Sequence, residues 1–518
     1  NDGAKPKNEQ TANVKRIEEN WSSCCPPHPG LDMLQRVLWS ALGAMALFYA
    51  LVRFSLGYWK RRGILHAKPK FLWGNLKDVL AGKRHVQQVL HCIYESYKGR
   101  APFIGCYALI KPFVLVLDLE LVRHILDSDA GYFTSRGLYH NVSGEPLSGN
   151  LLQLDGHSWR WLHAQSRTVF TASNLQKLLP RLLQVSNRLQ RGLGEAHLQQ
   201  LNVSQLVDSY NVQAIATLAY GLNPHELPPE FGQMTRSYWS NWSLWRAYLA
   251  LELPLLARLL RHKSYAQLAT DYFFKLVLEQ LQQQRRRDRQ PLQSFLQLYS
   301  ATEETLTDAQ IAAQAFGFVL AGLQPLNASL AFCLYELALH PELQQRVRAE
   351  IRAMLQRHEG ALTAEGLQQL TYTKQVLNET LRLHTPYPFL LRRATREFEL
   401  PKSVFVIARG NNVLIPIAAI HRDPAIYPEP ERFDPDRFEA AAVHARTSIS
   451  FLPFGEGLRG CMAKQLAQQQ LLVGLVALLQ QHSYAPCAET QIPIQYDNRK
   501  LLLMPKTDIK LSVERLDS

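Results

Sequence analysis

Ten residues near the C-terminus, Phe454-Gly-Glu-Gly-Leu-Arg-Gly-Cys461-Met-Ala463, restrict the fold more than any other stretch of the chain. Three glycines, an arginine and a cysteine crowd into the eight residues from Phe454 to Cys461. Gly455 and Gly457 permit a tight loop where the backbone must approach another group closely. The apolar run Met462–Leu479 that follows reads as a helix. Cys461 is therefore expected at a helix start, where the dipole and free N–H groups favour a thiolate. The plain alternative is a buried structural cysteine behind a glycine-rich turn.

A thiolate in a glycine-rich loop meets the needs of an axial haem ligand, and Arg459 would then pair with a haem propionate. Phe454, Gly455, Gly457, Arg459 and Cys461 resemble the haem-binding loop of cytochromes P-450, F-G-x-G-x-R-x-C-x-G/A. Five fixed positions match by chance in about one chain in ten thousand of this length. The resemblance extends over roughly residues 65–515 and is strongest to microsomal members of arthropods. It implies a mainly α fold, a helical prism with small β-sheets, holding haem b (iron protoporphyrin IX) with Cys461 as the iron ligand.

Other segments carry the same resemblance. Glu379 and Arg382 stand at i and i+3 in Asn378-Glu-Thr-Leu-Arg382, a pair that alone reads as a surface ion pair. With Pro386, Pro388, Arg392 and Phe433-Asp-Pro-Asp-Arg437-Phe438 they resemble the family's E-x-x-R helix and P-x-R-F segment. The resemblance implies a buried charge network of Glu379, Arg382 and Arg437, and a propionate contact for Arg392. Trp159 matches a second propionate contact. Four residues on, the family carries arginine and this chain has His163, shorter and mostly neutral near pH 7. Arg160 is the nearby candidate to compensate.

One segment departs from the family. The long helix on the distal side of the haem normally carries A/G-G-x-D/E-T, whose acid and alcohol relay protons during oxygen activation. Here it reads Ala321-Gly-Leu-Gln324-Pro325-Leu-Asn327. Gln324 is no carboxylate and Pro325 has no hydroxyl. A mid-helix proline also removes a hydrogen bond and kinks the helix, at ~3 kcal/mol or more. Two readings stay open: a monooxygenase whose protons come through water held by Gln324, Asn327 or the freed carbonyl, or a haem-thiolate protein that rearranges peroxides or does not turn over.

Residues Val37–Val52 form a charge-free apolar run, extended by Arg53-Phe-Ser-Leu-Gly-Tyr-Trp59. If Arg53 snorkels, residues 37–59 span a membrane, with Tyr58 and Trp59 in an interfacial belt. Lys60, Arg61 and Arg62 follow, so the positive-inside rule puts residues 60–518, the catalytic domain, in the cytosol. Residues 1–36 are then lumenal, with a glycosylation sequon at Asn20. The expected location is the endoplasmic reticulum membrane. The seven cysteines show no zinc or disulfide spacing.

Helical periodicity dominates elsewhere, as in Leu175–Leu201, Tyr265–Arg287 and Asp308–Gln356; strands are expected at Phe113–Leu117, Val413–Ile417 and Phe405–Ile407. The surplus of 57 Lys+Arg over 44 Asp+Glu fits a lipid surface or an acidic partner better than nucleic acid. The family resemblance implies NADPH–cytochrome P-450 reductase as electron donor, with cytochrome b5 as a second, and a lipophilic small-molecule substrate. The aromatic stretch Ser237–Tyr248 sits where family members dip into the bilayer.

Overall fold

The computed structural model describes residues 29–194, 200–238, 246, 250–286, 294–302, 306–401 and 405–516. Nine helices carry the architecture discussed below: α1 (Pro29–Leu56), α2 (Gly156–Val169), α3 (Ala172–Gly194), α4 (Val203–Tyr220), α5 (Gln267–Arg286), α6 (Asp308–Leu339), α7 (Pro341–Arg357), α8 (Thr371–Leu383) and α9 (Lys464–Leu479). Among the described residues nine short strands make three small sheets. The largest has the order β1-β2-β7-β4, from Phe103–Ala108, Lys111–Val116, Asn412–Ile415 and Leu390–Arg393. Its β2 and β7 run parallel, and the outer pairs are antiparallel. A second sheet joins β3 (Gln200–Asn202), β9 (Lys510–Arg515) and β8 (His482–Pro486); β5 (Phe398–Glu399) and β6 (Val406–Ile407) form a hairpin-sized third.

α6 is the central beam. Thr307 caps its start, accepting from the Gln310 N–H, while the Gln310 side chain accepts from the Thr307 N–H. The helix is apolar nearly all round, so it is buried on all sides, against α4, α8 and α9. The helical stretch Asp308–Gln356 is divided between two helices. His340 leaves helical geometry ahead of Pro341, as a residue before proline tends to, and α7 starts afresh. The expected strands fall at β2, β7 and β6 with ends shifted by a residue or two.

Two described helices are long and apolar enough to cross a membrane, the Met33–Leu56 part of α1 and α6. Their surroundings separate them. α6 lies mostly inside the protein, whereas Met33, Val37, Trp39, Phe48 and Phe54 are exposed. Twenty-four residues reach about 36 Å, enough for a ~30 Å hydrocarbon layer. Two sequence expectations need correcting here. The helix ends at Leu56, before residue 59, and Trp59 is no interfacial belt residue. Its indole is fully buried over Gly105, where a Cβ would lie 2.4 Å from the ring, and Nε1 donates to the Cys106 carbonyl at 2.9 Å. Glycine at position 105 makes this seat. Asn20 and most of the aromatic stretch at 237–248 lie outside the described residues.

Candidate active site

The cysteine loop bridges two cores. Leu452 belongs to the core around the large sheet, and Leu466 to the helical core. Between them the backbone turns through Gly455 (φ +66°) and Gly457 (φ +69°). A Cβ on Gly457 would stand 1.7 Å from the Leu126 carbonyl oxygen, so no other residue fits. The Cys461 N–H donates to the Phe454 carbonyl at 2.8 Å and closes the loop. Cys461, Phe454, Gly455, His163, Arg167 and Lys464 line one open cleft.

Cys461 does not begin the helix, as the sequence had suggested. α9 starts at Lys464, with Ala463 as its cap. Burial pushes the Cys461 thiol up, opposed by the Ala463 N–H and by the charges of Arg136 and Lys464. The loop alone therefore does not make a thiolate; a bound metal would complete the deprotonation.

Beside the loop three guanidiniums converge. Arg459 is almost fully buried; its Nε donates to the Thr134 carbonyl at 2.7 Å, and its Nη2 to the Leu154 carbonyl at 2.8 Å and to Asp155 Oδ1 at 2.6 Å. Its Cζ lies 3.7 Å from the Trp159 ring centroid. Arg136, which sequence reasoning did not single out, donates from Nη2 to the Arg459 carbonyl at 2.9 Å. Arg392 is 3% exposed; Nη1 reaches the Leu391 carbonyl and Nη2 has no partner. Burial, then mutual repulsion, lowers Arg392 and Arg459 to about 9. Three cations around one carboxylate, with a buried donor unspent, suit a ligand bearing carboxylates. Haem, with two propionates, fits this set, and Cys461 would supply the soft donor for its iron.

His163 stacks on Trp159 with ring centroids 4.7 Å apart. Burial and the nearby Arg167, Arg459 and Arg136 hold it below the usual histidine range, so it stays neutral. Arg160 points out to solvent and does not replace the missing arginine; Arg136 is the extra cation. No spacing motif marks Arg136, which reaches the site only through the loop before α2.

The structure brings Glu379, Arg382 and Arg437 together. Arg382 and Glu379 are fully buried and pair through two bonds, Nε–Oε2 at 2.7 Å and Nη2–Oε1 at 2.8 Å. Arg382 also donates to the His421 carbonyl at 2.8 Å, and the Asp434 N–H donates to Glu379 Oε1 at 2.8 Å. Arg437 is looser, with Nε 3.5 Å from Glu379 Oε1. Burial pushes Glu379 up and Arg382 opposes that first.

On α6 the turn Val319–Leu323 is π-helical, and Pro325 stands in the first turn of the α-helix that resumes at Gln324. The widened turn precedes the proline, so the missing N–H falls where the ladder is already interrupted. Gln324 is half-buried and Pro325 buried. Asn327, a candidate water holder, is turned away. Its Nδ2 donates to Asp208 Oδ1 and its Oδ1 accepts from Asn211 Nδ2, both at 2.7 Å. Ser329 Oγ is spent on the Pro325 carbonyl at 2.8 Å.

These features define a haem-thiolate fold and site, and comparison with known proteins agrees: the chain belongs to the cytochrome P450 family, whose profile matches residues 66–513. It is 66% identical over 487 residues, 94% of this chain and the whole of the relative, to "Probable cytochrome P450 6u1" of Drosophila melanogaster. It is 35% identical to "Probable cytochrome P450 6a13" (91% of this chain, 97% of the relative) and 31% identical to "Cytochrome P450 6a8" (92% and 98%), both of the same fly. The arthropod resemblance is thus borne out. The protein is an oxidoreductase, a haem-thiolate monooxygenase of the kind that takes electrons from a redox partner.

Proposed function

We propose that this protein oxidises small lipophilic molecules with O2 and electrons from NADPH–cytochrome P-450 reductase, with cytochrome b5 as a second donor. In this reading the cofactor would be haem b, and the catalytic domain faces the cytosol at the endoplasmic reticulum membrane. The observation that carries this reading is the unpaired, buried Nη2 of Arg392 beside Arg136 and Arg459, one loop away from Cys461. Bound haem supplies the oxygen-activating chemistry; the chain does the rest. Cys461 would hold the iron. Arg136, Arg392 and Arg459 would bind the propionates, with Trp159 stacked against Arg459 and His163 adding a neutral contact. Arg167 and Lys464, both exposed beside Cys461, present positive charge to an acidic electron donor.

Two apolar surfaces support the membrane placement. One is α1, read as the anchor, with the 1–36 segment lumenal. The other is the short helix Pro254–Leu259, where Leu255 and Leu259 are 81% and 79% exposed. One observation favours the peroxide-rearranging alternative: α6 turns Asn327 and Ser329 to other partners and offers neither acid nor alcohol at 324–325.

The experiment is expression in microsomes with and without the reductase. The reduced carbon monoxide complex should show the red-shifted Soret band of a thiolate, lost in Cys461→Ala. Oxidation of lipophilic probes should require NADPH and reductase. Peroxide-supported turnover with no reductase dependence would favour the alternative.

A further inference from the structure

The backbone of α6 holds its own middle weakly. Val319–Leu323 is π-helical, and Pro325, two residues on, has no N–H to give to the ladder. Side chains from other helices tether this stretch at both ends. At its start the Tyr238 hydroxyl lies 3.4 Å from the Val319 carbonyl oxygen. At its end Asn327 Nδ2 donates to Asp208 Oδ1 and Asn327 Oδ1 accepts from Asn211 Nδ2, both at 2.7 Å.

The second tether is one link in a chain. Asn211 Oδ1 accepts from Gln470 Nε2 at 2.7 Å, and the Gln470 carbonyl accepts from the Tyr210 hydroxyl at 2.8 Å. Three buried amides thus cross an apolar core, from α9 through α4 to α6. A carboxylate only accepts, so Asp208 settles which way each amide behind it points. Its other oxygen is held by Arg236, by Nε at 2.8 Å and Nη2 at 2.6 Å. Arg236 belongs to the short helix Pro229–Ser237, and Tyr238 is the C-cap of that helix. Both tethers therefore lead to one helix, and Asp208 is where the exposed Arg236 meets the buried amides.

We propose that Asp208 is a positioning residue for the oxidation. Through Asn327 it fixes the rotation of α6 behind the π-helical turn, and through Arg236 it makes that rotation depend on the helix Pro229–Ser237. Gln324 is the polar side chain of this turn, three residues before Asn327, and among the described residues no hydrogen bond fixes its amide. Its direction follows the rotation of the helix. The effect on oxidation rests on the monooxygenase reading; the tether itself does not.

The test uses the full-length, haem-loaded protein and an exchange of partners. Asp208→Asn keeps the shape but turns an N–H2 group toward a donor, that of Asn327 or of Arg236. Amide hydrogen exchange across residues 318–328 should quicken about tenfold, the effect of losing one hydrogen bond to a charged group. More of the NADPH consumed should then appear as hydrogen peroxide. Adding Asn327→Asp restores every bond: the carboxylate, now on α6, accepts from Asn211 and from the amide on α4, whose oxygen is left for Arg236. Both readouts should return to wild-type values. Arg236→Ala removes an exposed partner and leaves the buried amides paired; it should shift both readouts in the same direction by a smaller factor, and it serves if Asp208→Asn does not retain haem. Unchanged exchange at 318–328 in the single variants, or a double variant no closer to wild type than Asp208→Asn, would overturn the tether. Faster exchange with the peroxide fraction unchanged, at equal haem content and with a normal thiolate Soret band, would overturn the positioning role. A wild type without that band would overturn the reading of Cys461 instead, and the exchange data would still decide the tether.

Discussion

The Arg459 guanidinium lies over the Trp159 indole, its Cζ 3.7 Å from the ring centroid, while Nη2 holds Asp155 at 2.6 Å. This stack ties the cysteine loop to the start of α2, two segments some three hundred residues apart in sequence. It also explains how an almost fully buried cation is tolerated: one aromatic face, one carboxylate and two strongly bonded carbonyls surround it.

Arg459→Ala should therefore act on stability before it acts on chemistry. It strands the Asp155 carboxylate and the Thr134 and Leu154 carbonyls, a loss of ~3–5 kcal/mol if the site stays folded. The expected outcome is a lower urea midpoint in the haem-free protein and poor haem retention. A midpoint equal to wild type would contradict the role given to the stack.

The charge network beneath the site should be unequal in its parts. Glu379 and Arg382 are fully buried and bonded twice to each other. Arg437 is held at 3.5 Å with its Nε lacking a good hydrogen bond. Arg382→Ala should cost ~3–5 kcal/mol and yield little folded protein. Arg437→Ala should cost ~1 kcal/mol and leave haem content near normal. Chemical denaturation and the carbon monoxide spectrum read both, and equal losses would rule out this ranking.

His421 gives a pH signature. Its Nε2 accepts from the Leu452 N–H at 2.9 Å, just ahead of the cysteine loop. Burial, then Arg382 and Arg422, lower it to about 3. The unfolded chain takes up this proton near pH 6.5 and the folded chain does not. Stability from this group is complete above about pH 6.5 and falls as pH drops toward 3, by on the order of 4 kcal/mol. His421→Gln should lose less stability than wild type across that window. Parallel stability-against-pH curves for the two proteins would refute the assignment.

The loop Phe454–Ala463 was readable because it needs particular residues at fixed spacing: glycines where φ is positive, one arginine, one cysteine. Glu379 and Arg382 were readable for the same reason. Arg136 was not, because it reaches the site from a loop whose path is set by tertiary packing, and a lone arginine in a loop carries no spacing signal. Trp59 was misread because an aromatic beside basic residues suits an interface as well as a core; only the Gly105 seat, forty-six residues away, decides between them. The start of α9 was placed at Met462, two residues early, because the backbone bond from Cys461 to Phe454 belongs to the loop, a distinction that an apolar run after glycines does not reveal.

The last prediction concerns Pro325. A proline inside an ordinary helix costs ~3 kcal/mol or more, yet here it follows the π-helical turn Val319–Leu323, where the ladder has already shifted. Pro325→Ala should thus change the unfolding midpoint by well under that amount. Gln324→Glu with Pro325→Thr restores both a carboxylate and a hydroxyl within one helical turn, and returns the amide donor at 325. It should raise the fraction of NADPH that appears as product and lower the fraction lost as hydrogen peroxide. A wild type that already converts nearly all its NADPH to product, or a double variant with lower product yield at unchanged folding and haem content, would show that Gln324 and Pro325 belong to a different chemistry. Peroxide-supported turnover without reductase is the assay that then identifies it.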